Sequence, residues 1–275
     1  MAQRKYTGGL DLQHTILTMS RGDAPRLREW VEYHSWLGFD EFHVILDNPI
    51  DDSEHVLRIL NVPAKITVEV RPALDEYYDG LAGEEKLSRA QVWRELHLDR
   101  IAEWGLPIVD PLSMRQYLYL PAALNKYALR GEGWVSVIDV DEFIVLPGGR
   151  KITDVTTAAK MPRVRFLNFN FDFKERDPAR PILQQHTQRW AREDIVAQGQ
   201  GWDTRVKSIV RYDAAVPMAS VHGISRGWFE TLEPEIGRLH HYKVSGHGVP
   251  VLPFCVEDRA AADAFRVSED PHSHL

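Results

Sequence analysis

Gly133–Pro147 reads GWVSVIDVDEFIVLP, and this segment sets the fold class expected for the whole chain. It begins as an apolar run rich in β-branched residues and is bounded by glycine and proline, a pattern that predicts a buried central strand. Three carboxylates interrupt the run at Asp139, Asp141 and Glu142, and apolar residues resume directly after them. Charged groups inside a buried run are costly unless something pairs with them, so the acids predict a built site.

Asp139 and Asp141 are two residues apart, and in a strand such side chains lie on one face. Two hard oxygen ligands on one face suit Mg²⁺ or Mn²⁺, which commonly take one or two carboxylates together with substrate phosphates. The alternative is a strand end whose acids cap a neighbouring helix or pair with arginine. The apolar residues on both sides of the acids favour the metal site.

The composition excludes several classes of protein. The 275 residues suit one α/β domain, and a hydrophobic content of 44% excludes a disordered chain. The net charge of −7 argues against binding to nucleic acid. The single cysteine, Cys255, cannot form an internal disulfide, and no apolar run has the length of a membrane span. We therefore expect a soluble, cytoplasmic protein without a transmembrane segment.

Strand and helix signals alternate along the first 70 residues. Apolar runs that predict strands lie at His14–Met19, Phe42–Leu46 and Ile66–Val70. Between the first two runs, Asp23 and Pro25 predict the start of a helix and Gly38 predicts its end. This alternation predicts an α/β fold with a mostly parallel central sheet flanked by helices. Ligands of such sheets bind at the carboxyl ends of the strands, so we expect Asp47 and the acids to share one crevice.

Residues 75–112 depart from this alternation. A charged segment at Glu84–Trp104 predicts a helix, and Pro107 and Pro111 prevent that helix from continuing. We interpret residues 75–112 as a helical insertion or lid within a single domain that spans residues 1–275.

Histidines and basic residues in the second half of the chain add candidates. His241 and His222 are possible ligands that would bias a carboxylate site towards Mn²⁺, although each one alone also fits an ordinary hydrogen-bonded histidine. Alternation in the segment 205–211, RVKSIVR, places Lys207 and Arg211 on one face of a strand. That face would hold a diphosphate or be solvated.

Seven segments within residues 14–60 and 113–245 form one set. They are Arg28–His34, Leu37–Phe39, Asp47–Asn48, Trp134–Val145, Lys207–Arg211, Val221–His222 and His241–Tyr242. This set resembles the family-2-like and family-92-like glycosyltransferases of the GT-A fold. The resemblance implies a Rossmann-like nucleotide-binding half and an inverting transfer of a sugar from a nucleotide-sugar, with a UDP-sugar expected, to a hydroxyl of a glycan or glycoconjugate.

The resemblance also implies a metal site. Asp141 would bind Mn²⁺ (or Mg²⁺) directly, and Asp139 would contact the ribose or reach the metal through water. His241 matches the late histidine that completes the metal shell in many GT-A enzymes, and His222 is a further candidate.

On the nucleotide side, the resemblance places Asp47 near the base and aligns Gln116 with a glutamine that contacts the nucleotide. Lys207 and Arg211 would face the diphosphate or the acceptor. A lipid-linked acceptor would add a peripheral contact with a membrane.

Inversion in one displacement requires a general base that deprotonates the acceptor hydroxyl. Inverting GT-A enzymes often use the acid of an x-E-D motif, and Glu193 and Asp194 provide such a pair after Arg192. Asp172 and Asp203 compete with this pair.

The sequence also departs from the family pattern and leaves two other classes open. After the first predicted strand, relatives tend to carry Asn-Glu, whereas this chain has Arg21, Gly22 and Asp23. The contact that this first loop makes with the nucleotide in relatives is therefore in doubt here. One alternative is a phosphatase or phosphotransferase of the haloacid dehalogenase kind, with Asp139 as nucleophile. The position of the motif within the chain, and Phe143 after it, argue against that class. The other alternative is an inactive nucleotide-binding relative.

Overall fold

A computed structural model of the protein describes residues 12–81, 83–171, 177, 180–197, 206–216, 218, 222, 227–242 and 255–265, without the side chains of 194–196. The strands are β1 (His14–Ser20), β2 (Glu41–Asp47), β3 (Lys65–Arg71), β4 (Trp134–Val137), β5 (Glu142–Val145), β6 (Arg163–Phe166), β7 (Asn168–Asn170), β8 (Gln188–Trp190), β9 (Lys207–Arg211), β10 (Glu230–Thr231), β11 (Arg238–His241) and β12 (Cys255–Glu257). The helices are α1 (Ala24–Leu37), α2 (Ser53–Ile59), α3 (Gly83–Leu96), α4 (Leu98–Trp104), α5 (Pro111–Ala128), α6 (Ile152–Ala158), α7 (Ile182–Gln185), α8 (Arg192–Ala197) and α9 (Ala260–Ala264).

The central sheet has seven strands in the order β10-β6-β9-β4-β1-β2-β3. Strands β3, β2, β1 and β4 pair in parallel, whereas β9 is antiparallel to both β4 and β6. Because β1 to β4 run in the same direction, their carboxyl ends lie at one edge of the sheet. The predicted α/β class with a mostly parallel central sheet is confirmed.

Two apolar cores cover opposite faces of this sheet. Ile16 of β1 packs in the core that contains Trp30 of α1, and its neighbour Leu17 packs in the core that contains Leu124 of α5. Successive residues of a strand point to opposite faces, so the sheet is buried on both sides. Six of the seven residues of β1 and all seven of β2 are accordingly buried, and the buried set includes polar residues such as Thr18 and His43.

The prediction of one continuous strand through Gly133–Pro147 is wrong. Strand β4 ends at Val137, and β5 begins at Glu142 in a second sheet, which has the order β5-β11-β7. Between them Asp139 to Glu142 form a turn, closed by the Glu142 N–H, which donates to the Asp139 carbonyl at 3.0 Å. We call these four residues the acid turn. A turn lets the carboxylates leave the buried ladder, which a continuous strand would not allow.

Helix α1 fixes the strand that comes after the acid turn. The Trp30 Nε1–H donates to the Glu142 carbonyl at 2.9 Å, and the Tyr33 hydroxyl donates to the Ile144 carbonyl at 3.0 Å. The Ile144 N–H in turn donates to His34 Nε2 at 3.2 Å. Three side chains of the segment Trp30–His34 therefore form hydrogen bonds with the main chain of β5. These bonds fix the position of the acid turn, which directly precedes β5.

His34 predicts a pH-dependent stability. Its Nε2 accepts a hydrogen bond, so Nδ1 carries the proton and donates to the Trp30 carbonyl at 2.8 Å. Burial lowers the pKa of His34 from 6.5 to about 3. The unfolded state therefore takes up a proton first as the pH falls, and stability is lost on acidification. We expect this residue to lower the free energy of unfolding by about 2 kcal/mol between pH 8 and pH 5.

Urea unfolding of wild type and His34→Gln at both pH values measures this contribution. Glutamine does not titrate, so the change in unfolding free energy with pH should be about 2 kcal/mol smaller in the variant, whatever its stability at pH 8. An equal change in both proteins would contradict the prediction.

Helices α3 and α4 lie inside the predicted insertion, and Trp93 is the buried side chain of these two helices. This side chain packs with Ile108 and Met114, and its Nε1–H donates to Asp75 Oδ1 at 3.0 Å. Interpretation of this segment as an insertion or lid stays a prediction. No helix in the described part of the chain combines the length and the apolar character needed to cross a membrane.

Candidate active site

The acid turn lies just beyond the carboxyl end of β4, and a buried lysine neutralises it. Lys207 is the first residue of the antiparallel strand β9, and its side chain is 1% exposed. Its Nζ lies 2.8 Å from Asp139 Oδ2 and 3.1 Å from Glu142 Oε2. Desolvation lowers the pKa of Lys207, but the two carboxylates raise it overall. Lys207 is therefore an internal counter-charge to these two carboxylates, and its contact with the diphosphate or the acceptor stays a prediction.

Of the two acids that contact Lys207, Glu142 is buried and Asp139 is partly exposed. The Glu142 side chain is 4% exposed, whereas that of Asp139 is 43% exposed. Glu142 Oε2 also accepts the Asp139 N–H at 2.9 Å. Burial raises the pKa of Glu142, and Lys207 opposes that rise. Asp139 thus offers its carboxylate to the crevice, while Glu142 supports the turn from inside.

Asp141 faces His241, which the second sheet supplies. Strand β11 pairs antiparallel with β5 and sets His241 opposite Glu142, and the Tyr242 N–H donates to the Asp141 carbonyl at 2.8 Å. His241 Nε2 lies 3.5 Å from Asp141 Oδ2, and both side chains are partly exposed. Burial raises the pKa of Asp141, but His241, and then Arg26 and Lys207, lower it overall.

The donor set fits a divalent cation of the Mn²⁺ or Mg²⁺ kind. Asp141 and His241 present a carboxylate oxygen and an imidazole nitrogen to the same partly exposed space, and imidazole favours Mn²⁺. Among the described residues, no three acidic, histidine or cysteine side chains converge into a complete metal site. A site with few protein ligands leaves positions for water and substrate oxygens, which is typical of nucleotide-bound Mg²⁺.

The loop after β1 reaches the same crevice. Arg26 NH1 donates to Asp23 Oδ1 at 2.8 Å, and the Ser20 hydroxyl donates to Asp23 Oδ2 at 2.8 Å. Burial raises the pKa of Asp23, and the charge of Asp141 adds to the rise. Arg26 was not among the residues predicted from the sequence, although its place after the first parallel strand was a usable signal. Arg26 thus places a positive charge near Asp141, close to the loop in which the sequence departs from the family pattern.

Asp47 ends β2 in the predicted crevice, but its carboxylate is already satisfied. Oδ1 accepts the Tyr77 hydroxyl at 2.9 Å, and Oδ2 accepts the Arg115 Nε–H at 2.7 Å. The guanidinium groups of Arg21 and Arg115 each lie 4.0 Å from the centroid of the Tyr77 ring. Cation–π contacts with both groups fix this ring. Asp47 therefore organises the segment around Tyr77, a role that the sequence did not reveal. The sequence analysis also did not identify Arg115 as the partner of Asp47.

Two other predicted nucleotide-side residues have different positions. Gln116 is half-buried in α5 directly after Arg115, and its contact with a nucleotide stays a prediction. Arg211 lies opposite Trp134, at the end of β9 farthest from Lys207, where it pairs with Asp213 at 2.6 Å. The structure does not bring Arg211 to the acid turn, because four residue steps along the strand place Arg211 roughly 13 Å from Lys207.

The remaining predicted residues are only partly described. Desolvation lowers the pKa of His222, and the charges of Lys207, Asp139 and His241 also act on it, which places His222 near the acid turn. Glu193 is exposed on α8, and the side chain of Asp194 on the same helix lies outside the described residues. Asp172 and Asp203 also lie outside them. The assignment of a general base stays a prediction.

A mostly parallel sheet with an acid turn at its carboxyl edge is the arrangement expected of an α/β protein of the GT-A type. Residues 21–259 match the family model described as glycosyltransferase family 92, and the chain belongs to this family. The resemblance to family 92 seen in the sequence is thereby confirmed, and membership supports a role in glycosyl transfer.

Two solved structures resemble the chain at low similarity. The crystal structure of S. aureus TarS 1–349 has 12% sequence identity and a TM-score of 0.42, over 84% of this chain and 60% of that chain. Core-mannan synthase A from Aspergillus fumigatus, in its Mn/GDP form, has 11% identity and a TM-score of 0.32, over 61% of this chain and 45% of that chain. The chain therefore spans less than two thirds of either structure. No curated protein matches the chain.

Proposed function

We propose that the protein is a metal-dependent glycosyltransferase that moves a sugar from a nucleotide-sugar to a hydroxyl of a glycan or glycoconjugate. The observation that carries this proposal is the pairing of Asp141 with His241 at the carboxyl edge of the sheet, in a chain of glycosyltransferase family 92. Family membership supports the class of reaction, and the donor atoms of this pair support the metal.

Asp141 and His241 are the residues proposed to hold Mn²⁺, or Mg²⁺ in its place. A divalent ion bound there would stabilise, as a Lewis acid, the charge that develops on the departing nucleoside diphosphate. Asp139, held in place by Lys207 and half exposed, would contact the ribose or a metal-bound water. Arg26 stands close enough to influence the pKa of Asp141 and would add positive charge beside the diphosphate.

The finer parts of the proposal come from the family resemblance. They are a UDP-sugar donor, inversion in a single displacement, and a general base supplied by Asp194 or Glu193, with Asp172 and Asp203 as alternatives. A cytoplasmic location and an acceptor that is lipid-linked belong to the same group. A phosphatase activity has no support from the family match.

Thermal unfolding with a panel of nucleotides, each with and without Mn²⁺, tests the proposal. A ligand that binds only the native state at 100 times its dissociation constant adds about 2.7 kcal/mol of stability, so we expect one nucleotide to raise the melting temperature only with the metal. The nucleotide-sugar that contains this nucleotide should then be consumed when a glycan acceptor is added. Release of phosphate from an aryl phosphate, or no response to any nucleotide, would contradict the proposal.

A further inference from the structure

A pocket of about 300 Å³ lies between helices α4 and α5, and its described lining contains no residue of the acid turn. Most of its walls are aliphatic or aromatic, and the apolar side chains include Leu74, Trp104, Leu106, Ile108, Met114 and Leu118. Three of them, Leu74, Leu106 and Leu118, are also exposed, so the apolar lining reaches the surface of the protein.

This lining selects against polar ligands. Sites for small molecules have volumes of about 300–1,000 Å³ and are mostly apolar, with a few polar groups that fix orientation. A sugar or a nucleotide carries many polar groups, and those that enter an apolar pocket lose hydrogen bonds to water without replacement. A hydrocarbon chain has no such groups and is stabilised by leaving water. The walls therefore favour a ligand with an apolar chain.

One cation of the lining, Arg100, gives the pocket a charge. Its guanidinium lies 4.7 Å from the centroid of the Trp104 ring, and it forms no ion pair with any residue that the structure describes. Asp75 also lines the pocket, but its Oδ1 accepts the Trp93 Nε1–H at 3.0 Å and the Glu76 N–H at 2.7 Å. An anionic group of a ligand would give Arg100 a counter-charge through a charge-assisted hydrogen bond.

The pocket adjoins the crevice at the carboxyl edge of the sheet through Arg115. NH1 of Arg115 donates to the Leu74 carbonyl at 3.2 Å, and its Nε–H donates to Asp47 Oδ2 at 2.7 Å, at the end of β2. One guanidinium therefore joins a wall of the pocket to the edge of the crevice. A ligand in the pocket lies beside the candidate active site without occupying it.

We propose that this pocket binds a single-chain amphiphile with an anionic head group, with the chain between α4 and α5 and the head beside Arg100. The apolar lining carries the first part of the proposal, and the charge of Arg100 carries the second. The site goes beyond the proposed glycosyl transfer and does not depend on it.

Isothermal titration calorimetry of the whole protein with octyl phosphate, below the concentration at which it forms micelles, tests the proposal. Each buried methylene group strengthens binding about fourfold, so octyl phosphate should bind about 15-fold more tightly than hexyl phosphate. Octyltrimethylammonium has the same chain with the opposite charge, and it should bind more weakly than octyl phosphate. Inorganic phosphate, which has no chain, should show no binding.

The variants Leu118→Glu and Arg100→Gln separate the chain from the head group. Both side chains are exposed, so the variants should fold. The glutamate places a charge against the chain and should weaken binding of octyl phosphate by roughly tenfold or more. Loss of a charged hydrogen bond in Arg100→Gln should weaken it by roughly tenfold and remove the preference over the ammonium. The matched controls Leu129→Glu and Arg58→Gln change exposed residues outside the pocket and should bind as wild type does.

Vesicles of phosphatidylcholine, with and without phosphatidylglycerol, distinguish two sources of such an amphiphile. Co-sedimentation of wild type with the anionic vesicles, lost in Leu118→Glu, would support the site and assign it to a bilayer lipid. Binding of octyl phosphate without co-sedimentation would support the site and assign it to a dispersed amphiphile.

Two results would overturn the site itself. They are absence of octyl phosphate binding by wild type, and equal affinity in wild type and Leu118→Glu. Equal affinity in wild type and Arg100→Gln would overturn the position of the head group. None of these results depends on the response to Mn²⁺ and nucleotides, so the proposed transferase stands or falls separately.

Discussion

Replacement of Asp141 by alanine should lower metal-dependent sugar transfer by about 10³-fold, the scale on which enzymes lose rate when a group that stabilises transition-state charge is removed. The carboxylate is one of the two side chains proposed to hold the cation, and its partner His241 alone would bind the ion weakly. Because Asp141 lies on the surface of the crevice rather than in the core, the fold should persist. Initial rates at saturating Mn²⁺, with circular dichroism of each protein, measure both effects.

Asp213→Ala is the matched control for this experiment. Asp213 is an exposed aspartate paired with Arg211 at the opposite end of the sheet, so its replacement should leave the rate unchanged. Unchanged Mn²⁺-dependent turnover in Asp141→Ala would remove this residue from the metal site and return the assignment to Asp139.

The second large effect concerns stability, and it centres on Asp258. Its Oδ2 accepts the Arg189 Nε–H at 2.8 Å and the Arg238 Nε–H at 2.9 Å, and its Oδ1 accepts Arg238 NH2 at 2.6 Å. Asp258 and Arg238 are both buried, so Asp258→Ala would leave a guanidinium without its counter-charge. Removal of one partner of a buried ion pair costs about 3–5 kcal/mol, and urea unfolding should show a loss of this size.

Asp263→Ala is the control, since Asp263 also pairs with an arginine, Arg259, but both side chains are exposed. Exposed pairs contribute about 0–1 kcal/mol, so the control should unfold nearly as wild type does. The double variant Asp258→Leu with Arg238→Met should recover part of the lost stability, because it removes both charges. A loss below about 1 kcal/mol in Asp258→Ala would contradict the prediction.

The sequence was sufficient for the parallel half of the fold. Helix α1 occupies Ala24–Leu37 between the predicted start near Asp23 and the predicted end at Gly38, where a left-handed φ of 105° stops it. Strands β1 and β2 extend the predicted runs by only one residue at an end. These elements obey local rules, because each one buries an apolar face with the period of its own geometry.

The site was harder to predict because its contacts join distant parts of the chain. Apolar residues flank the acid turn on both sides, so periodicity could not show that the chain changes sheets at Ile138. Alternation gave the face of Lys207 but neither its depth nor its pairing with Asp139 and Glu142. The Arg115–Asp47 pair spans 68 residues, and nothing local in either segment announces it.

The bonds from α1 to β5 have a consequence for how copies of the protein behave together. Strand β5 is at the edge of its sheet. An open edge has unpaired N–H and C=O groups that can pair with a strand of another molecule. Trp30, Tyr33 and His34 occupy such groups with side chains instead. The helix that positions the acid turn therefore also closes a route to self-association.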